Sequence, residues 1–124
     1  MASNNERVIS ISRLAGADFS GANPGQYRFG NIAADGSVAL CGAGLRAEGV
    51  LMGKQIAGHA IELGVGGRLQ VVCGGTVTAG DAVSSDANAA AVTQSSTAIV
   101  NGTALESGVA GDIISILFAP QGAP

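Results

Sequence analysis

Apolar residues along this chain occur in short runs, and most of these runs are separated by glycine, asparagine, aspartate or serine. A short run that is rich in β-branched residues and bounded by turn residues is typical of a β-strand. Several such strands in succession predict an all-β fold, either a small glycine-rich β-barrel or a β-sandwich. The predicted strands are Val8–Leu14, Tyr27–Phe29, Val38–Leu40, Val50–Met52, Ala60–Leu63, Leu69–Val72, Val77, Ala98–Val100 and Ile113–Phe118.

Some of the turns between these strands can be predicted from their residues. Asp35 and Gly36 lie between Ile32 and Val38, and an Asp-Gly pair favours a type I′ hairpin because both residues accept a positive φ. Residues 64–67, Gly-Val-Gly-Gly, predict a second, looser hairpin. Further structural turns are predicted at Gly74, Gly75, Gly80 and Asp81, with Gly80 left-handed and the Asp81 carboxylate accepting main-chain N–H bonds.

The sequence predicts one β domain with a polar segment at each end. The domain covers residues 8–119, an extended arm covers residues 1–7, and a tail covers residues 120–124. Residues 86–91 contain an aspartate followed by alanines, but the stretch is too short to hold a helix by itself. We expect a loop there with at most one helical turn, and no internal repeat is predicted.

The composition limits how this domain can be stabilised. Of the 124 residues, 47% are hydrophobic but only 3% are aromatic, so large side chains for a core are scarce. Only 12% of the residues are charged, against about 25% in a typical soluble domain. The surface must therefore include wide neutral areas, and such areas usually face a partner. We expect the chain to associate with its own copies or with a larger assembly.

Charge and the ends of the chain weigh against several classes of function. The net charge is −3 and the six basic residues form no cluster, so binding to nucleic acid is not expected. No apolar stretch is long enough for a membrane segment, and the start lacks the pattern of a secretory signal. We expect a protein that is assembled in the cytoplasm. All six basic residues lie among residues 1–68, whereas residues 69–124 hold only acidic groups.

Patterns that would indicate catalysis or ligand binding are scarce. Cys41 and Cys73 stand in neither a Cys-X-X-Cys nor a Cys/His arrangement, so we expect small buried residues and not a disulfide or a zinc site. His59 has no Asp, Glu or Cys within two positions and is expected in an exposed turn. No nucleophile or phosphate-binding motif is present. The prediction is a protein without catalytic residues, cofactor or metal.

Two interpretations of such a small acidic β domain stay open at this point. Lipoyl and biotinyl carrier domains are also small acidic β folds, and they often contain a Gly-Asp turn. Lys54, the only lysine, would then be the modified residue. It has glycine before it and glutamine after it, whereas carriers place methionine or aspartate beside this lysine. The other interpretation is a cellular β-barrel interaction or shell module.

Several segments, taken in order, resemble a known family. These segments are Gly49-Val50-Leu51, Ala57-Gly58, the run from Leu69 to Asn88, Ala104-Leu105-Glu106 and the run from Gly111 to Leu117. Together they look like the capsid cement or decoration proteins of tailed bacteriophages, the DUF2190-like group. The resemblance extends from about Val38 to Leu117 and is strongest between Val71 and Asn88. One departure is Ala89, where the resemblance leads us to expect glycine.

This resemblance implies a structural virion protein that is not an enzyme. Such proteins are small β proteins, typically homotrimers, that dock on the outside of an expanded HK97-type capsid. The implied partners are the major capsid protein and copies of the same chain, and the implied effect is a more stable shell. The polar arm would become ordered on the shell, with Arg7 and Arg13 pairing with carboxylates there.

Overall fold

The computed structural model describes residues 8–16, 26–53, 57–95 and 97–120. Within these ranges the chain forms one sheet of nine antiparallel strands and no helix, which confirms the prediction of a small all-β fold. None of the described residues therefore belongs to a helix that could span a membrane. The strands are β1 (Val8–Leu14), β2 (Phe29–Ile32), β3 (Val38–Leu40), β4 (Gly49–Leu51), β5 (Ala60–Val72), β6 (Ala82–Ser85), β7 (Ala91–Thr93), β8 (Gly102–Ala104) and β9 (Ile113–Phe118).

The strands lie in the order β3-β2-β4-β5-β9-β8-β6-β7, and β1 pairs with β5. The bounds of β1, β3 and β9 are those that the apolar runs predict, whereas β2 and β4 are shifted along the chain. The strand predicted at Ala98–Val100 is wrong. These residues lie in an irregular connection, where one main-chain bond of 3.0 Å joins the Ile99 N–H to the Gly44 carbonyl.

The second predicted hairpin is also wrong, because residues 64–67 lie inside the continuous strand β5. The pairing of β1 with β5 shifts register between Gly64 and Gly66, as in a β-bulge at Val65, and Gly67 has φ +86°. The bulge changes which face the following side chains occupy. A Cβ built on Gly64 would lie 2.7 Å from Leu69 Cδ2. Residues 64 and 69 would point to opposite faces of a regular strand, and here they lie on the same face. The glycines allow a sharp bend within the strand and do not end it.

This bend allows one sheet to bury two clusters of apolar side chains. Val50 and Leu51 are consecutive residues of β4, yet they belong to different clusters, because successive side chains of a strand point to opposite faces. All three residues of β4 are therefore buried. The larger cluster includes Phe29, Val50, Leu69, Val71, Ile114, Ile116 and Phe118, and the smaller one consists of Ala15, Val38, Leu51, Ile61 and Leu63.

The hairpin between β2 and β3 forms where the Asp-Gly pair predicts it, but its turn is not type I′. Gly36 has φ +88°, whereas Asp35 does not have a positive φ. The Gly36 N–H donates to the Ala33 carbonyl at 2.9 Å, and the Ala33 N–H donates to the Ser37 carbonyl at 2.7 Å. One left-handed glycine that follows a tight turn is the arrangement of a longer hairpin loop with a bulge.

Ala89 lies in the conformation that glycine favours. Its φ is +62°, its side chain is fully buried, and its carbonyl accepts a 2.8 Å bond from the Phe29 N–H. The Asp86 carboxylate stabilises this turn by accepting bonds from the N–H groups of Asn88 and Ala90 at 2.8 and 2.9 Å. The alanine found where the resemblance leads us to expect glycine thus has a left-handed backbone. Residues 86–90 form a turn with no helix.

Candidate functional site

Of the two arginines expected to contact a shell, Arg13 is described and Arg7 lies outside the described residues. Arg13 belongs to β1 and pairs with Ile61 of β5. Its Nε and Nη2 atoms donate to the Gly36 carbonyl oxygen at 3.1 and 3.0 Å. The guanidinium is therefore partly engaged within the chain, although it carries further N–H donors. The structure places Arg13 beside the turn between β2 and β3.

The strand that carries Arg13 presents its side chains to solvent. Every side chain from Ile9 to Leu14 is exposed, and Ile9 and Leu14 retain 61% and 55% of their accessible surface. Pairing of the main chain with β5 therefore attaches β1 to the sheet more than burial of its side chains does. Exposed isoleucine and leucine on such a strand form a candidate contact surface.

A second apolar surface lies on β8 and β9, on the face opposite the larger core. We call Leu105, Ile113 and Leu117 the outer triad. They retain 48%, 49% and 50% of their accessible surface, whereas Ile114 and Ile116 of the same strand are buried. The Leu105 N–H donates to the Ser115 carbonyl at 2.9 Å, which places Leu105 opposite the residue midway between Ile113 and Leu117. The triad is therefore contiguous across the two strands.

Charge is divided between the two halves of the sheet. The strands β6 to β9 and the connections between them carry acidic side chains and no basic ones, because residues 69–124 contain no lysine or arginine. The described basic residues all belong to β1 to β5 and their connections. The acidic half holds Asp81, Asp86, Glu106 and Asp112, and the other half holds Arg13, Arg28, Arg46 and Arg68 together with Asp35, Glu48 and Glu62. The described charged groups therefore sum to −4 in the acidic half and to +1 in the other half.

Two turns, at residues 78–81 and 109–112, share the sequence Ala-Gly-Asp and the same local geometry. In each turn the aspartate carboxylate accepts a 3.0 Å bond from the main-chain N–H three residues earlier. The glycine has φ +92° in both turns, at Gly80 and at Gly111. Asp81 also accepts a 3.1 Å bond from the Thr93 hydroxyl, so it links its turn to β7.

These turns are related by an approximate two-fold axis that the sequence did not reveal. Each turn ends a nine-residue segment, residues 73–81 and residues 104–112. The N–H of each turn glycine donates to the carbonyl of the first residue of the other segment, and Val77 and Gly108 exchange two main-chain bonds. The bonds are Gly80 N–H to Ala104 O (2.8 Å), Gly111 N–H to Cys73 O (2.9 Å), Val77 N–H to Gly108 O (2.9 Å) and Gly108 N–H to Val77 O (2.9 Å). The repeated Ala-Gly-Asp triplet was the available signal for this pairing.

The glycines predicted to be structural differ in what surrounds them. A Cβ on Gly74 would collide with the Asp86 carboxylate, whereas a Cβ on Gly75 would meet only Val92 Cγ1 at 3.8 Å. A Cβ on Gly80 would meet no heavy atom within 4 Å, so its positive φ is the constraint there. The space at Gly75 means that a side chain could be accepted at this position.

Asp35 acts within the turn between β2 and β3. Its Oδ1 atom accepts bonds from the Ser37 hydroxyl at 2.7 Å and from the Ser37 N–H at 3.0 Å. These bonds, the hydroxyl bond above all, lower the pKa of Asp35 below its ordinary value of 3.8. The charged carboxylate is thus favoured in the folded protein, which is a structural role.

The residues considered for chemistry are dispersed. Cys41 and Cys73 are free thiols in the larger core, and burial raises the pKa of both. His59 is exposed just before β5, as predicted for a turn histidine. Lys54 lies outside the described residues. Across the described part of the chain, no three His, Cys, Asp or Glu residues are grouped so that they could hold a metal ion.

Comparison with known proteins relates this fold to a phage structure. The crystal structure of the N base of head fiber gp8.5 in bacteriophage phi29 has a similar fold, with a TM-score of 0.70 and 16% sequence identity. The similarity covers 91% of this chain and 95% of that chain. At this identity it shows a shared fold over nearly the whole of both chains. No family model matches the sequence, and no curated protein matches it.

Proposed function

We propose that this protein is a non-enzymatic structural component of a bacteriophage head. It docks on the outside of the expanded shell, binds the major capsid protein of an HK97-type lattice and stabilises that lattice. The fold shared with the base of a phage head fiber carries this proposal. The resemblance of the segments between Val38 and Leu117 to phage decoration proteins agrees with it, although no family model matches the sequence.

The physical effect on the shell follows from linkage. A protein that binds the assembled lattice and not free shell subunits stabilises the lattice by mass action. Each contact can be weak, because contacts repeated by symmetry form at high effective concentration once the first has formed. A chain with 12% charged residues and exposed apolar side chains suits such a surface.

The outer triad is the docking surface that we propose. Leu105, Ile113 and Leu117 are each about half exposed and adjoin one another across β8 and β9. Burial of apolar area contributes about 25 cal/mol per Å² before the costs of association. A charged residue in the centre of this surface would have to lose its water on docking.

Cosedimentation with expanded, undecorated phage heads tests the proposal. We expect the wild-type protein to sediment with the heads and to raise the temperature at which they rupture. Leu117→Lys should weaken attachment at least about tenfold, because a lysine would be desolvated on docking. Leu45→Lys is the matched control, since Leu45 is 52% exposed but lies on the connection between β3 and β4. Absence of wild-type attachment would refute the function, and equal binding by both variants would refute the surface.

We propose further that the protein acts as a homotrimer. The uneven charge of the sheet favours a head-to-tail interface, in which the acidic half of one copy contacts the half of the next copy that carries the arginines. A head-to-tail interface that closes on itself forms a ring. Light scattering coupled to size-exclusion chromatography should give three times the mass of the chain, with dissociation favoured by salt. A monomer at all concentrations and at low salt would contradict the trimer.

A further inference from the structure

The outer triad has a carboxylate fixed beside its centre. Ile113, Ser115 and Leu117 point to the same face of β9, because they alternate along the strand. Ser115 lies at the centre of the triad and is only 3% exposed. Its main-chain N–H donates to Oε2 of Glu106 at 2.9 Å. The triad is therefore an apolar surface with one carboxylate anchored to its central residue.

This carboxylate can accept further hydrogen bonds. Glu106 is exposed, and its Oε2 atom accepts the Ser115 N–H. Within the described part of the chain, no basic side chain is bonded to it. Residues 69–124 contain no lysine or arginine, so β8, β9 and the connection between them supply no cation. A carboxylate has about four lone-pair sites, which leaves room for a charged donor from another molecule.

The two ends of the triad differ in charge. The strands β8 and β9 are antiparallel, so Glu106, which follows Leu105, lies on the side of Ile113. At the other end, Leu117 is opposite Arg68 of β5. A cation that binds to this surface is therefore attracted to the Ile113 end and not to the Leu117 end.

The fold of the turns does not require these side chains. The segments at residues 73–81 and 104–112 have the same geometry, with Gly80 and Gly111 in equivalent places. Counted from these two glycines, three residues of the surface correspond to smaller ones. Leu105 corresponds to Gly74, Glu106 to Gly75 and Ile113 to Ala82. The first segment thus builds the same turn without these side chains, which indicates that their role is not in folding.

A basic side chain has the two parts that this surface accepts. Lysine and arginine combine an apolar stem with a charged tip, and the stem can lie along apolar surface while the tip reaches a polar partner. The triad fits the stem, and Glu106 fits the tip. A hydrogen bond between charged groups is about twice as strong as one between neutral groups, and apolar surroundings strengthen it further.

We propose that the outer triad and Glu106 together bind a lysine or arginine side chain of the shell protein. The inference rests on the proposed function, which supplies the docking surface and the partner, and it adds the chemistry that the partner presents. The shell segment carries a cation beside apolar residues, and that cation lies at the Ile113 end of the triad.

Neutral variants of two matched glutamates test this inference by cosedimentation with expanded heads. Glu106→Gln removes the charge and keeps an oxygen that can accept the Ser115 N–H. Glu48→Gln is the control, because Glu48 is also exposed and its carboxylate also accepts one main-chain N–H, from Ile32 at 2.6 Å. We expect attachment at low salt to weaken at least about tenfold for Glu106→Gln and less than about twofold for Glu48→Gln. Equal attachment of the two folded variants would overturn the inference, whereas absence of wild-type attachment would overturn the proposed function as well.

Carboxylate labelling of the wild-type protein provides a second measurement that needs no variant. A water-soluble carbodiimide and an amine modify carboxylates that solvent reaches, and mass spectrometry reads each site. On expanded heads, labelling of Glu106 should slow at least about tenfold relative to the free protein, whereas labelling of Glu48 should not change. Unchanged labelling of Glu106 in protein that has sedimented with the heads would overturn the inference and leave the proposed function standing. Protection in free protein that is lost on dilution would place a second copy at Glu106 and would also overturn it.

Discussion

Replacement of Gly49 by alanine tests how closely β4 and β5 approach each other. A Cβ at this position would lie 2.5 Å from Leu63 Cγ and 2.6 Å from the Gly64 carbonyl oxygen. One of these atoms belongs to the main chain, and β4 is held between β2 and β5, so the strand cannot simply move aside. Overpacking of this kind costs about 1 to 3 kcal/mol, and the contact with main chain places Gly49→Ala near about 3 kcal/mol.

Urea and thermal unfolding followed by far-ultraviolet circular dichroism measure this cost. For a domain of this size, the loss corresponds to a fall in midpoint temperature on the order of 10 °C. Gly75→Ala is the matched control, because its Cβ would meet only Val92 Cγ1 at 3.8 Å and its backbone has no positive φ. We expect that control to stay within about 1 kcal/mol of the wild type. If Gly49→Ala is no more destabilising than Gly75→Ala, the close approach of β4 and β5 is wrong.

Three further predictions concern single side chains. Asp81→Ala should lower the free energy of unfolding by about 2 kcal/mol and Asp112→Ala by about 1 kcal/mol, because the Asp81 carboxylate accepts two hydrogen bonds and the Asp112 carboxylate accepts one. Equal losses in urea titrations would argue against this difference. Burial raises the pKa of Cys41 and Cys73 and keeps both thiols protonated, so a thiol reagent should label them only after the protein unfolds. Rapid labelling of the native protein would contradict their buried positions. The pKa of Asp35 is lowered in the folded protein, so its contribution to stability is present above pH 3.8 and is lost as pH falls below that value. Asp35→Asn should flatten this part of the plot of unfolding free energy against pH, and an unchanged plot would exclude the effect.

The apolar runs were sufficient to predict the strands that are long or flanked by clear turns. Val8–Leu14 and Ile113–Phe118 are strands with the predicted bounds, because β-branched residues in an unbroken run have few other stable arrangements. The three strands between Ala82 and Ala104 were not predicted. They are short and consist largely of alanine, serine, threonine, glycine and valine, so their local preference is weak and cross-strand pairing decides their conformation.

Candidate surfaces were harder to predict than strands, because exposure depends on strands that are distant in sequence. The composition indicated that neutral surface must exist, but it could not indicate that Leu105 adjoins Ile113 and Leu117. Arg13 was predicted to pair with carboxylates of a shell, and the structure shows that part of its guanidinium is bonded to the Gly36 carbonyl.

The sequence by itself determined that this chain is built of strands, that aromatic side chains for its core are scarce, and that its charge is uneven. These properties depend on residue type and local order, which are fixed before the chain folds. Only the tertiary structure decided that the glycines at residues 64–67 bend one strand and do not join two, and that two Ala-Gly-Asp turns face each other across an approximate two-fold axis. A glycine permits both a turn and a bulge, and the strands that pair with β5 before and after residues 64–67 select the bulge.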